Sequence, residues 1–106
     1  MTLVYKQRGT VLTGLSEYSS WEGPWPKGSI ELYDDKVVFK APPEKSAEIP
    51  LSDITSVKKL LHIPVFKWGF QLKHKSNVAP PYLVFWGFTL SKIFRFFESK
   101  NIKFEN

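Results

Sequence analysis

The stretch that decides the fold is Tyr82-Leu83-Val84-Phe85-Trp86, followed within three residues by an amphipathic segment, residues 89–100. A short run that is apolar at every position is typical of a strand that is covered on both faces. Pro80-Pro81 closes the polar turn before this run, residues 75–81, and marks where the strand begins. The run therefore predicts a strand near the end of the chain, with other structure on either side of it.

Segment 89–100 has the apolar spacing of a helix. One stripe of the helix carries Leu90, Ile93, Phe94 and Phe97, and the Thr89 hydroxyl is positioned to cap the N-terminus. The chain before residue 82 is patterned as short strands. We therefore expect the helix to plug or cap a curled antiparallel sheet.

Residues 29–41 predict a hairpin with a defined register. Asp34-Asp35 can form a two-residue turn, because Asp tolerates positive φ better than most residues. If Leu32 lies opposite Val37, then Ile30 lies opposite Phe39, and all four apolar side chains share one face. One register thus satisfies both strands.

Four more strands are predicted by alternation and by turn residues, at residues 10–18, 47–51, 54–60 and 68–73, which makes seven with the hairpin and residues 82–86. Residues 19–28, with two Pro and two Gly, are predicted to be a loop. Residues 1–106 form a single domain at this length. The predicted core consists of Ile30, Leu32, Val37, Phe39, Ile54, Phe70, Leu72, Val84, Trp86, Leu90, Ile93, Phe94 and Phe97.

Two motifs resemble the pleckstrin-homology-like superfold, and its GRAM and bacterial PH-like branch most closely. Residues 28–39 are similar to that family's glycine-led hairpin, and residues 49–57, IPLSDITSV, are similar to its IP-x-x-DI-x-x-V segment. The resemblance covers residues 10–100. It implies a mainly β fold, an orthogonal, partly open antiparallel barrel of seven strands with one C-terminal helix. Family members bind phosphoinositides, other lipids, peptides or proteins.

The charge is unevenly distributed along the chain. Residues 1–55 carry six Lys and Arg against eight Asp and Glu, whereas residues 56–106 carry nine against two. This asymmetry predicts an acidic partner, although a solvated basic surface would look the same in sequence. The candidate anion surface consists of Lys58, Lys59, Lys67, Lys73 and Lys75.

A nucleic-acid interface is the alternative for this basic surface. Such an interface needs exposed aromatic side chains interleaved with cations. Alternation puts Trp68 and Phe70 on the strand face opposite Lys67 and Lys73. We therefore expect nucleic acid less than a protein partner or an anionic lipid. Loop 19–28 offers one cation, Lys27, and so lacks the clustered Lys and Arg of members that bind phosphoinositides.

Two apolar segments are candidate contact sites. Two arrangements are expected for Trp21 and Trp25. Their rings either form an exposed tip that contacts a membrane or a partner, or fold back over the open end of the barrel. Residues 60–66 are apolar where a polar turn is expected. They predict either a self-association or partner patch or a loop tucked under residues 3–5. The patch is represented by Leu61, Ile63, Val65 and Phe66.

No pattern in the chain predicts catalysis. Neither His62 nor His74 has the spacing of a metal ligand, there is no Cys, and no nucleophile stands in a G-x-S-x-G context. We expect a non-enzymatic binding module with no cofactor, no metal and no small-molecule substrate. Its partner would be a protein, a second copy or an anionic membrane. The lack of an apolar leader or spanning run predicts a cytoplasmic protein, with peripheral membrane contact as the variant.

Overall fold

The secondary structure is that of a mainly β chain, seen in a computed structural model that describes residues 2–16, 18–41, 45–62, 67–77, 79–87 and 89–105. A 3-10 turn, Leu51–Asp53, joins the fourth and fifth strands. The elements are β1 (Leu3–Ser16), β2 (Ser19–Tyr33), β3 (Lys36–Ala41), β4 (Lys45–Pro50), β5 (Ile54–His62), β6 (Lys67–His74), β7 (Tyr82–Gly87), α1 (Ser91–Ser99) and β8 (Phe104–Glu105).

The strands form one open sheet in the order β4-β3-β2-β1-β7-β6-β5-β8. The predicted hairpin is confirmed, since Leu32 pairs with Val37 and Ile30 with Phe39 in β2 and β3. All four side chains are buried. The predictions of a mainly β fold and of one helix near the C-terminus are confirmed as well. Across the described residues the sheet has eight strands, because β8, which the sequence analysis did not predict, pairs in parallel with β5.

The sheet curls so that its two halves face each other. Phe39 on β3 and Phe70 on β6 are separated by four steps in the strand order. A flat sheet would hold them roughly 19 Å apart at the usual strand spacing. Their ring centroids are 6.2 Å apart. The enclosed core is rich in aromatic side chains, and Phe70 also lies 5.4–6.0 Å from the rings of Phe85, Phe94 and Phe97.

The prediction of a loop at residues 19–28 is wrong, because this segment belongs to the long strand β2. Its turn-forming residues instead make a bulge. Gly9 pairs with Gly28 and Val11 with Gly23, so that residues 24–27 of β2 face a single residue of β1. The bulge closes tightly, since a Cβ on Gly28 would lie 2.4 Å from the carbonyl oxygen of Gly23. Glycine is required there because a side chain would collide with backbone.

Helix α1 begins at Ser91, two residues after the predicted start. The N-cap is Leu90 and makes no side-chain capping bond, so the predicted Thr89 cap is wrong. The Thr89 carbonyl accepts a hydrogen bond from Gln7 Nε2 at 2.8 Å instead. At the other end Asn101 adopts a φ of 59°. The Ile102 amide donates to Phe97 and the Asn101 amide to Glu98, which together form a Schellman ending.

Most of the predicted core is buried, with three exceptions. Ile54 and Phe94 are partly buried and pack against the core cluster. Trp86 is half-buried. Side chains alternate along β7, and Leu83 and Phe85 are the ones that enter the core cluster, so Trp86 lies on the other face of the sheet. Val84 is buried but also stands outside that cluster. The prediction that β7 is covered on both faces thus holds in part, since on the outer face Val84 is buried while Tyr82 and Trp86 are only partly buried.

Candidate binding groove

The face of β5, β6 and β7 that points away from the core carries a groove of about 660 Å³. Directly paired residues share a sheet face. Lys58 pairs with Gln71, and Gly69 pairs with both Leu60 and Trp86, so these side chains belong to one surface. The outer-face groove is lined mainly by Tyr18, Lys58, Leu60, Gln71, Tyr82 and Trp86.

A glycine lies beneath Trp86, one of the residues that line the groove. A Cβ on Gly69 would lie 2.6 Å from Trp86 Cε3 and 2.7 Å from Trp86 Cδ2. The indole of Trp86 therefore lies over the backbone of β6, which only glycine permits at this distance. This packing leaves the ring half-buried and turns one of its faces into part of the groove wall.

The rim is the end of the β1–β2 hairpin. Leu15 is 76% exposed and Tyr18 is 91% exposed, yet both line the groove. The turn is held by a hydrogen bond from the Tyr18 amide to Ser16 Oγ at 3.2 Å. The rim thus presents two large side chains to solvent beside a recess, a combination that is typical of contact surfaces.

An acidic side chain from β8 lies beside the groove. The Ser56 hydroxyl donates to Glu105 Oε2 at 2.6 Å, and Lys73 Nζ donates to Glu105 Oε1 at 3.1 Å. The bond from Ser56, followed by the bond and charge of Lys73, lowers the pKa of Glu105, and the charge of Lys58 acts in the same direction. Lys73 is therefore neutralised locally, while Lys58 is in none of the ion pairs between described residues.

The predicted anion surface is not one surface. Lys58 and Lys73 belong to the outer face, and Lys75 is exposed just after β6. Lys59 points to the core side, where its Nζ lies 4.9 Å from the ring centroids of both Phe94 and Phe104. The side chain of Lys67 lies outside what the structure describes.

Both tryptophans of the predicted tip are exposed, Trp21 by 44% and Trp25 by 55%. Trp25 belongs to the bulge of β2, and its amide donates to Thr10 Oγ1 at 3.1 Å. Thr10 pairs with Trp86, which places the Trp25 backbone at the same outer face as the groove. Of the two alternatives for these rings, the exposed one matches the structure.

The predicted apolar patch is largely outside the described residues. Ile63, Val65 and Phe66 are not described, and of Leu61 the structure describes the backbone alone, at the end of β5. Whether the patch contacts a partner stays a prediction.

His74 has a structural role at the end of β6. The Ser76 amide donates to its Nδ1 at 3.1 Å, which leaves Nε2 as the donor to the Pro80 carbonyl at 2.8 Å. These bonds tie the strand end to the connection leading to β7. Within the described part of the chain, no group of three or more His, Asp or Glu side chains could hold a metal ion.

The groove lining includes Tyr18, Gln71, Tyr82 and Trp86, none of which is a predicted site residue. A signal was available for Gln71 and Trp86, since extending the alternation of β5 and β6 to β7 puts them on the face of Lys58. No signal was available for Tyr18, because its place above the groove depends on how the hairpin end sits over β7.

Comparison of the chain with protein-family models, with curated proteins and with solved structures gives no match. None of the described helical residues forms a helix long and apolar enough to cross a membrane. The groove and the strand order are therefore the features of the molecule that bear on its function.

Proposed function

We propose that this chain is a non-enzymatic binding module of pleckstrin-homology-like type that engages a protein partner through the outer-face groove. The strand order supports the fold assignment. Strands β1–β4 form one meander and β5–β7 a second, the two are joined by the pairing of β1 with β7, and a helix follows β7. Seven strands followed by a helix are what the resemblance to the superfold implies, and β8 is an addition to that pattern.

The groove is the observation that carries the proposal. Its volume of about 660 Å³ falls within the range of roughly 300–1,000 Å³ that is usual for ligand sites. Its walls combine aromatic rings with one amide and one ammonium group, a composition suited to holding a polypeptide. A flat membrane surface would not enter this recess, and a nucleic-acid strand would need more cations along it than Lys58.

A display selection tests the proposal. Short random peptides are selected against the protein, and the enriched ones are titrated while backbone amide shifts are followed by NMR. We expect the shifts to cluster at Lys58, Gln71 and Trp86. We expect Tyr18→Ala to weaken binding about tenfold, because the exposed ring contributes contact without supporting the core. Trp68→Ala is the control, since Trp68 is exposed on the opposite sheet face.

Shifts confined to other surfaces, or equal losses in both variants, would reject the groove as the binding site. Binding to anionic vesicles or to duplex nucleic acid without any peptide binding would instead favour the membrane or nucleic-acid alternatives.

A further inference from the structure

We propose that the occupant of the outer-face groove is an extended acidic segment of the partner polypeptide, with a carboxylate of that segment at Lys58. This inference rests on the proposed function and specifies the chemistry of the partner.

The charges around the groove favour an acidic occupant. Lys58 is the one charged side chain among the described residues that line it. Glu105, which pairs with Lys58 across β5 and β8, has its carboxylate oxygens engaged by Ser56 and Lys73. The half of the chain that builds the groove floor carries nine Lys and Arg against two Asp and Glu. An incoming carboxylate at Lys58 therefore meets an exposed ammonium that is in none of the ion pairs between described residues.

The backbone of the groove floor favours an extended occupant recognised through side chains. Strands β6 and β7 each have a paired strand on both sides, β5 and β7 for the first and β6 and β1 for the second. At residues 69–71 of β6 and 84–86 of β7 the backbone is paired on both sides, so this part of the floor offers no free edge for strand addition. A segment that lies across it must keep its own backbone bonded to water, as an extended chain without internal hydrogen bonds does.

The positions of the rings set the spacing of the contacts. Trp86 on β7 lies two strands away from Leu60 on β5, across Gly69 of β6, and Gln71 lies directly beside Lys58. Tyr82 and Tyr18 border the same recess near the hairpin end. A carboxylate at Lys58 thus brings the neighbouring residues of the segment onto Trp86 on one side and onto the tyrosines on the other. The Gln71 amide stands between them as a donor and acceptor.

The test uses fluorescein-labelled peptides of alternating glutamate and proline, in which proline keeps the chain extended. Matched peptides replace glutamate by glutamine or by lysine, and binding is measured by fluorescence anisotropy. We expect the glutamate peptide to bind about tenfold more tightly than the glutamine peptide, and the lysine peptide to bind more weakly than either. Lys58→Glu should abolish the preference for glutamate over glutamine.

Arg95→Glu is the matched control, because it makes the same change in net charge at an exposed position of α1. We expect it to leave the preference for glutamate within about twofold of wild type, since Arg95 is not among the residues that line the groove and exposed charges are screened by salt. Equal effects of the two substitutions would overturn the proposal, because they would show attraction by net charge alone. Equal binding of the glutamate and glutamine peptides would also overturn it.

The outcomes separate this inference from the proposed function. If the acidic peptides fail while selected random peptides still bind at Trp86, the acidic occupant is wrong and the groove keeps its role. If neither class of peptide binds, both proposals fall. Binding of the acidic peptides that Tyr18→Ala and Lys58→Glu both weaken would support the two together.

Discussion

Phe70 is the residue on which the packing of the two sheet halves depends. Its ring lies within 6.2 Å of four other phenylalanine rings, measured between centroids, and its side chain is fully buried. We expect Phe70→Ala to lower the free energy of unfolding by about 3–5 kcal/mol, the range for a phenylalanine removed from a core. Phe94→Ala should cost less, since Phe94 is only partly buried. Urea unfolding of both variants checks the order, and an equal cost would contradict the central role of Phe70.

Gly69 is predicted to be intolerant of any side chain. Because a Cβ would lie 2.6 Å from the Trp86 ring and 2.7 Å from the Phe85 carbonyl oxygen, Gly69→Ala must displace the indole or the backbone of β7. We expect a loss of about 1–3 kcal/mol, as for other overpacked sites. Gly69→Ala combined with Trp86→Ala should recover the part of this loss that the ring causes. No coupling between the two changes would mean that the backbone contact dominates.

The Glu31 carboxylate is predicted to make the free energy of unfolding depend on pH. The residue is 6% exposed, and burial alone would raise its pKa. Hydrogen bonds from Tyr33 and Lys40 and the charges of Lys40 and Lys6 outweigh burial, so the pKa is lowered. A lowered pKa contributes stability above the unfolded-state pKa and loses it as the pH falls through the folded-state pKa. As the pH is lowered below the ordinary glutamate pKa, the free energy of unfolding should therefore fall less steeply in Glu31→Gln than in wild type.

The sequence predicts individual side chains best where only one face of a strand can be buried. Ile30, Leu32, Val37 and Phe39 were assigned correctly because a single register buries all four. Strand β7 is apolar at every position, so the pattern could not tell which side chains enter the core. Trp86 was assigned to the wrong face for that reason. The burial of Glu31 depends on cations from β1 and β3, which alternation within β2 does not reveal.

At the scale of elements, the end of α1 depends on one backbone conformation. Asn101 adopts positive φ and completes the Schellman bonds. We expect Asn101→Ala to destabilise the protein by about 1 kcal/mol, because a β-carbon is disfavoured in the left-handed region. Asn101→Gly should be neutral or slightly stabilising. Thermal unfolding of the two variants decides, and equal melting temperatures would contradict a conformational cause.

Elements whose limits are set by tertiary pairing were the hardest to predict. Residues 24–27 contain two prolines and predict a loop, yet β1 continues past them and pairs on both sides of the bulge. Strand β8 has two residues and exists because β5 offers Val57 and Lys58 as partners. Neither the bulge nor β8 has a local sequence pattern that would predict a strand at that place. The existence of the helix was predicted, because apolar residues at helical spacing are a local signal that does not depend on tertiary pairing.

At the scale of the molecule, the charge asymmetry predicted a basic surface but not its shape. Pairing across the sheet separates Lys58 from Lys59, and β8 places Glu105 against Lys73. The groove itself is assembled from the hairpin end and three later strands, which are far apart in sequence. Its position could not be read from any one segment.

The pairing of β1 with β7 has a consequence for how fast the chain reaches this structure. It joins Thr10 to Trp86, so the central seam of the sheet closes a loop of most of the chain. A loop of that length must close, at a cost in chain entropy, before the contacts across the seam can form. Proteins with such long-range pairing are among the slow two-state folders and fold in milliseconds to seconds. Until β1 and β7 pair, each of the two meanders exposes one of these strands as an unpaired edge. Stopped-flow refolding should show a single slow phase that Leu12→Ala, at the seam, retards.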